Sequence, residues 1–166
     1  MARMEIGKGI DLTIKSYQKA AKNITTTIKQ AVYPAAGYLA NKIAAGLKEL
    51  PTVEGKDGKP PYMAPGYKLD SISSIQKQDL INGFGISKFE NKNGYINVKI
   101  GFDGYGSYPT RNYPQGIPNP LLIRSLSKGT SFLKKNNFIT KIYNREKKTV
   151  EKQLEKNFNE LISKEM

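Results

Sequence analysis

Apolar residues at alternating spacings of four and three, Ile10, Ile14, Tyr17, Ala21, Ile24, Ile28 and Ala31, constrain the first part of this chain to an amphipathic helix. Lys15, Lys19, Lys22 and Lys29 fall on its other faces. Pro34 would remove the hydrogen bond to the Gln30 carbonyl and clash with that turn, so a kink or break is expected between Tyr33 and Gly37. The pattern resumes with Leu39, Ile43, Leu47 and Leu50, and Pro51 ends it. Ala40, Ala44, Ala45 and Gly46 would let another helix approach closely. At the other end of the chain, Phe138, Ile142, Tyr143, Val150, Leu154, Phe158, Leu161 and Ile162 predict a second long helix over 138–164. Its outer face mixes like-charged neighbours with the pairs Lys147/Glu151 and Lys156/Glu160, as a solvated face does.

The middle of the chain has a different period. Gly94 to Phe102 alternates, with Ile96, Val98, Ile100 and Phe102 on one face and Tyr95, Asn97 and Lys99 on the other, which predicts a strand. Leu80 to Phe89 is expected to pair with it antiparallel through a turn over 90–94, where Asn93-Gly94 is a hairpin signal. Leu69 to Ile75 reads as a short helical turn leading into that strand. Residues 51–66 carry four prolines and three glycines and read as a loop. Asp103 to Asn119, rich in glycine, proline and tyrosine, is irregular and long for a connector. Tyr105, Tyr108 and Tyr113 in it either contact another protein or fold back over the sheet. After Pro120 a short helix ends at Gly129, which is expected to take the left-handed conformation. One α+β domain over 1–166 follows: helical over 10–50 with the interruption near Pro34, loop over 51–68, a small antiparallel sheet over 70–102, loop over 103–119, and helical over 120–165.

Composition narrows the chemistry. The 166 residues contain neither Cys nor His, which excludes Ser-His-Asp triads, cysteine nucleophiles, disulfides and the usual zinc sites. Asp70, Asp79, Glu90 and Asp103 are dispersed and each sits beside turn residues, where carboxylates serve local hydrogen bonding, so no catalytic pair is visible. Gly101-Phe-Asp-Gly104-Tyr-Gly106 follows a strand, but it lacks the spacing and the Lys-Ser/Thr of a phosphate loop. No catalytic, cofactor-binding or metal-ligating residue is therefore expected. No stretch approaches the roughly 20 apolar residues of a membrane helix and no export leader is recognisable, so neither membrane insertion nor secretion is expected.

The net charge of +13 points to polyanions, yet it is made of 23 Lys and only 4 Arg, whereas base readout and bidentate phosphate clamping favour Arg. A basic nucleic-acid-binding protein is one reading, and a Lys-rich solvated surface is the other. Residues 1–50 and 121–166 hold most of the excess positive charge, on helices that could line a polyanion path.

Leu69-Asp-Ser-Ile72, the hairpin, Pro120-Leu-Leu-Ile-Arg124-Ser-Leu-Ser-Lys-Gly129-Thr130-Ser131 and Asn137-Phe138-Ile139 before the last helix together resemble the tail-completion or neck family of tailed phages, the gene-product-ten-like minor tail proteins. Leu69 and Ser71-Ile72 stand one residue closer than in that family's leucine-x-x-serine-isoleucine segment, and Ser127-Lys128 replaces its acidic-aromatic pair. The resemblance implies a virion structural protein forming a ring of six copies at the head-proximal end of a phage tail or tail-like bacteriocin, assembled in the host cytoplasm. Its partners would be itself, the tail tube, tail terminator or sheath proteins, and DNA in transit where a capsid exists. On that reading Tyr105, Tyr108, Tyr113, Arg124, Lys128, Lys134 and Lys135 are the expected partner contacts.

Overall fold

Two long helices lie against each other in opposite directions, and three short hydrogen-bonding or close-packing points along their length record the pairing. The computed structural model describes residues 4–5, 24–92 and 95–165. The first of these helices is α1 (Ile24–Glu49) and the last element of the chain is α4 (Phe138–Glu165). Gly46 faces Phe138 and Ile142 so closely that a Cβ there would meet the Ile142 side chain at 2.4 Å. Further along, the Tyr38 hydroxyl donates to Glu146 at 2.8 Å, and the Asn157 amide donates to the Ala31 carbonyl at 3.0 Å. Position 46 against 138–142, 38 against 146 and 31 against 157 is antiparallel packing.

The 3.6-residue period puts Ile28, Ala31, Val32, Ala35, Leu39, Ile43 and Leu47 of α1 into the core with Ile139, Ile142, Val150, Leu154 and Phe158 of α4. α1 runs on through Pro34, so the expected break is absent. Pro34 is exposed while Ala31, Val32, Ala35 and Leu39 on either side of it are buried, and this burial outweighs the roughly 3 kcal/mol of a proline inside a helix. Leu50 closes the helix before Pro51, as expected. Positions 10–23 of the amphipathic pattern lie outside the described residues.

Residues 51–68 are irregular apart from a 3-10 turn at Lys56–Gly58 and a second turn at Pro65-Gly66, closed by the Tyr67 N–H on the Ala64 carbonyl. The sequence expectation fails next, because Ser74–Gly83 is a helix, α2, where a strand was expected from Leu80 onward. Ser73 caps it: its side chain accepts from the Gln76 backbone N–H while the Gln76 side chain accepts from the Ser73 N–H, a reciprocal capping box. Gln76, Asp79 and Leu80 are its buried residues, with helical spacing. Two of the three are polar, so hydropathy alone hides the period.

The sheet is antiparallel, as expected, and is split in two. β5 (Ile100–Phe102) lies between β1 (Met4–Glu5) and β2 (Phe84–Ile86), and β3 (Glu90–Lys92) pairs with β4 (Tyr95–Asn97). Glu90 to Lys92 are thus strand rather than turn. Lys92 faces Tyr95, and Asn93-Gly94 between them lie outside the described residues. The long strand expected over 94–102 is interrupted at Val98 and Lys99. The register explains why: Ile86 faces Ile100 but Glu90 faces Asn97, a slip of one residue. Ser87 still holds both backbone groups of Lys99, through its N–H at 2.7 Å and its Oγ at 2.9 Å. Lys88 and Phe89 then stand against Val98 alone, a β-bulge. Phe89 reaches α1, where its ring lies 6.3 Å from that of Tyr33 and 5.0 Å from the Lys29 ammonium. Val98 and Ile100 pack against the core, yet Asn97 and Lys99 are half-buried too, so the two faces are less distinct than the alternation implies.

α3 (Asn119–Lys128) fills the space between β5 and α2 with Leu122, Ile123 and Leu126. It ends at Gly129, whose φ of 76° and ψ of 161° have the positive φ expected but an extended ψ, a conformation essentially reserved to glycine. Thr130 then turns the chain, its hydroxyl accepting from the Phe132 and Leu133 N–H groups. Leu133 runs beside Leu69 in a short parallel bridge.

Candidate interaction cleft

The Asp103 to Asn119 loop is held in place by two side chains from within the fold. Asp79, buried on α2, accepts the Ser107 backbone N–H at 2.8 Å and the Ser107 hydroxyl. Asn119, at the start of α3, donates its amide to the Asp79 carbonyl at 3.1 Å and to the Asp103 carbonyl at 2.9 Å. Its own N–H reaches the Gly104 carbonyl, and Gly106 reaches Ile117, so the loop closes on itself near its base. Gly116, at a φ of 95°, lies against Gly106 so closely that a Cβ would collide with its carbonyl, which explains the glycine there. Thr110 and Tyr113 exchange backbone hydrogen bonds at the tip.

This ordered loop forms one wall of a cleft of about 470 Å³. Tyr108, Asn112, Tyr113 and Ile117 come from the loop, Leu121, Leu122 and Ser125 from α3, Pro60, Leu69 and Ile72 from the stretch before α2, and Phe132 and Leu133 from the turn after α3. The lining carries no ionised side chain. Phe132 is 65% exposed and Tyr113 37% exposed, so an aromatic ring stands exposed on two sides of the cleft. Tyr108 is half-buried, and burial, with the Asp79 carboxylate adding to it, raises its hydroxyl pKa, which keeps it a neutral donor and acceptor.

Of the residues expected to contact partners, the cleft brings together Tyr108 and Tyr113. Tyr105 bridges to Pro118 and is exposed outside it. Arg124 projects from α3 beside the lining residue Ser125, and Lys134 follows the lining residue Leu133 and pairs with Asp70 at 2.5 Å. Lys128 and Lys135 are exposed on either side of Gly129 and are not part of the lining. Sequence reasoning did not single out Phe132, although an aromatic residue set among small polar turn residues is a legible signal. It assigned Asp79 to local hydrogen bonding beside a turn, whereas Asp79 lies inside α2 and bonds Ser107 across the fold, and it passed over Asn119.

A second polar cluster joins α1 to α4. Glu146 is buried and accepts from the Tyr38 hydroxyl and, at 2.8 Å, from Arg145 Nε. The Tyr38 hydrogen bond, then that of Arg145, holds the Glu146 carboxyl below its usual range, and the same contact raises Tyr38. Both helices expose lysines on their outer faces. No described helix is long and apolar enough to cross a membrane. Among the described residues no three acidic side chains gather as a metal site would require. No protein-family model, no curated protein and no solved structure matches the chain.

Proposed function

We propose that the protein is a non-enzymatic assembly subunit of a phage tail or tail-like particle, forming a ring of six copies at the head-proximal end of the tail tube. The observation that carries this reading is the cleft: an apolar, aromatic-edged surface of stable shape, built by a loop pinned through Asp79 and Asn119, with no charged group in its lining that could act on a substrate. Such a surface suits docking, where aromatic anchors and a fixed backbone favour a specific partner. The cleft serves a neighbouring protein, while the subunits pack through their helices, and heterologous contacts between identical subunits close into a ring when the rotation per step divides a full turn. The resemblance of the Leu69 to Ile72 and Pro120 to Ile139 segments to tail-completion proteins supplies the particle context.

The competing reading is a free nucleic-acid-binding protein. It draws on the net charge of +13 and on Arg124, Lys128 and Lys135, exposed and in no ion pair among the described residues. The two readings separate by native mass and salt response. A ring subunit is expected to run as a discrete oligomer and to fractionate with particles, whereas a phosphate binder loses affinity linearly in log salt. A monomer that stays outside particles and binds DNA with a steep salt slope overturns the assembly reading.

A further inference from the structure

The cleft has an apolar interior, and the exposed charged residues next to its lining in sequence are mostly basic; each feature specifies part of an occupant. Ser71, Gln76 and Thr130, three of the polar residues in the lining, are already hydrogen-bonded to backbone: Ser71 to the Pro51 carbonyl, Gln76 to the Ser73 N–H, and Thr130 to Phe132 and Leu133. What faces an incoming ligand is mainly Leu69, Leu121, Leu122 and Ile117 with the rings of Tyr113 and Phe132. That surface recognises apolar side chains.

Among the residues that flank the lining in sequence, the charge is one-sided. Lys59, Lys68, Arg111, Arg124 and Lys134 are each the immediate chain neighbour of a lining residue, and all are exposed. The sixth such cation, Lys77, is turned away and caps the end of α1 through the Lys48 and Leu50 carbonyls at 2.6 and 2.7 Å. Against these stands one exposed acid beside the lining, Asp70, already paired with Lys134. Lys59, Lys68, Arg111 and Arg124 enter no ion pair among the described residues.

Resting on the assembly reading above, we infer that the cleft between α3 and the 103–119 loop takes an apolar segment of a different protein, flanked by Asp or Glu. Leucine or aromatic side chains of that segment sit between Tyr113 and Phe132, and its carboxylates meet Arg124, Arg111 and Lys68 at the edge. Charge argues against the other occupants available. A second copy of this chain carries the same +13, and the chain's own first 23 residues carry five bases against two acids. Either would bring cations to a basic edge, where like charges are costly and slow encounter. A single nucleic-acid strand would match the edge and could stack bases on Tyr113 and Phe132, but it would leave the aliphatic lining of Leu69, Ile117, Leu121 and Leu122 without a partner.

The test is a random-peptide display selection on the wild-type protein, counter-selected on Phe132→Ser, followed by titration of the enriched peptide with a fluorescent label. Phe132 and Arg124 are exposed, so the variants used should melt like the wild type. The expected peptides hold leucine, phenylalanine or tryptophan next to Asp or Glu. Their binding should fall about tenfold or more with Phe132→Ser, weaken with Arg124→Glu, and disappear when the peptide's acids become lysines. Three results overturn the assignment: no enrichment over the counter-selection, enrichment of peptides without acids, or a single-stranded DNA oligonucleotide that displaces the peptide and binds Phe132→Ser unchanged. Native mass measured on the same samples keeps the two claims apart. A ring without peptide binding removes only the docking assignment, and peptide binding by a persistent monomer removes only the ring.

Discussion

Asp79 and Ser107 are joined twice, the carboxylate of one accepting both the backbone N–H and the hydroxyl of the other across 28 positions of sequence. One buried side chain on α2 therefore sets the path of a loop that sequence composition leaves irregular. Hydrogen bonds to a charged acceptor contribute about 1.5–3 kcal/mol each, so removing both with Asp79→Ala should lower stability by about 3–6 kcal/mol. Its more specific consequence is local. Arg111, the one basic residue between Asp103 and Asn119, should become readily cleaved by trypsin in the folded variant. An unchanged urea midpoint together with an unchanged tryptic pattern would show that the loop is held by something else.

The contrast between what was legible in the sequence and what was not follows the chemistry of burial. α1, α4 and α3 were legible because Leu39, Ile43, Leu47, Leu122, Leu126, Leu154 and Phe158 are apolar and periodic, and burying them is what forms those helices. α2 was not, because Gln76 and Asp79 occupy inward positions and are tolerated there only through their hydrogen bonds. The Ser73-Ser-Ile-Gln76 capping box was the available signal. The hairpin was legible as a pairing, but the bulge at Lys88 and Phe89 was not, since a one-residue slip depends on the pull of Phe89 toward Tyr33 and Lys29. Likewise the tyrosines gave the loop two readings, contact with another protein or folding back over the sheet, while only the folded chain shows that Tyr108 and Tyr113 share a cleft with Phe132 and that Tyr105 does not.

Glu146 and Tyr38 give stability a defined pH dependence. The Glu146 pKa is lowered from 4.5 in the folded state, chiefly by the Tyr38 hydroxyl. The stability it supplies is present above that value and is lost as pH falls through the lower folded one. Tyr38 is raised from 10.0, so its contribution holds below that pH and disappears as pH climbs through the folded value. Denaturant midpoints measured across pH should therefore decline at both extremes. Glu146→Gln should flatten the acid limb, and Tyr38→Phe should weaken both; an acid limb identical in wild type and Glu146→Gln would contradict the assignment.

Gly129 should resist substitution. A side chain at a φ of 76° and ψ of 161° is strained, and a Cβ there would approach the Lys135 backbone nitrogen at 3.1 Å. Gly129→Val should cost about 2–4 kcal/mol, with Gly129→Ala somewhat less, as read from urea unfolding. A loss no greater than that of a typical surface substitution, about 0.5 kcal/mol, would show that this turn can be rebuilt without glycine.

The most direct test of the account is the copy number of this protein in purified tails or tail-like particles, compared between wild type and a Tyr113→Ser/Phe132→Ser double variant. Both rings are exposed, so the variant is expected to fold and to melt as the wild type does. The account predicts the wild-type protein at a fixed whole number of copies per particle and the variant folded but missing from particles. A wild-type protein found only in the diffuse soluble fraction, or a double variant incorporated at the wild-type level, would contradict it.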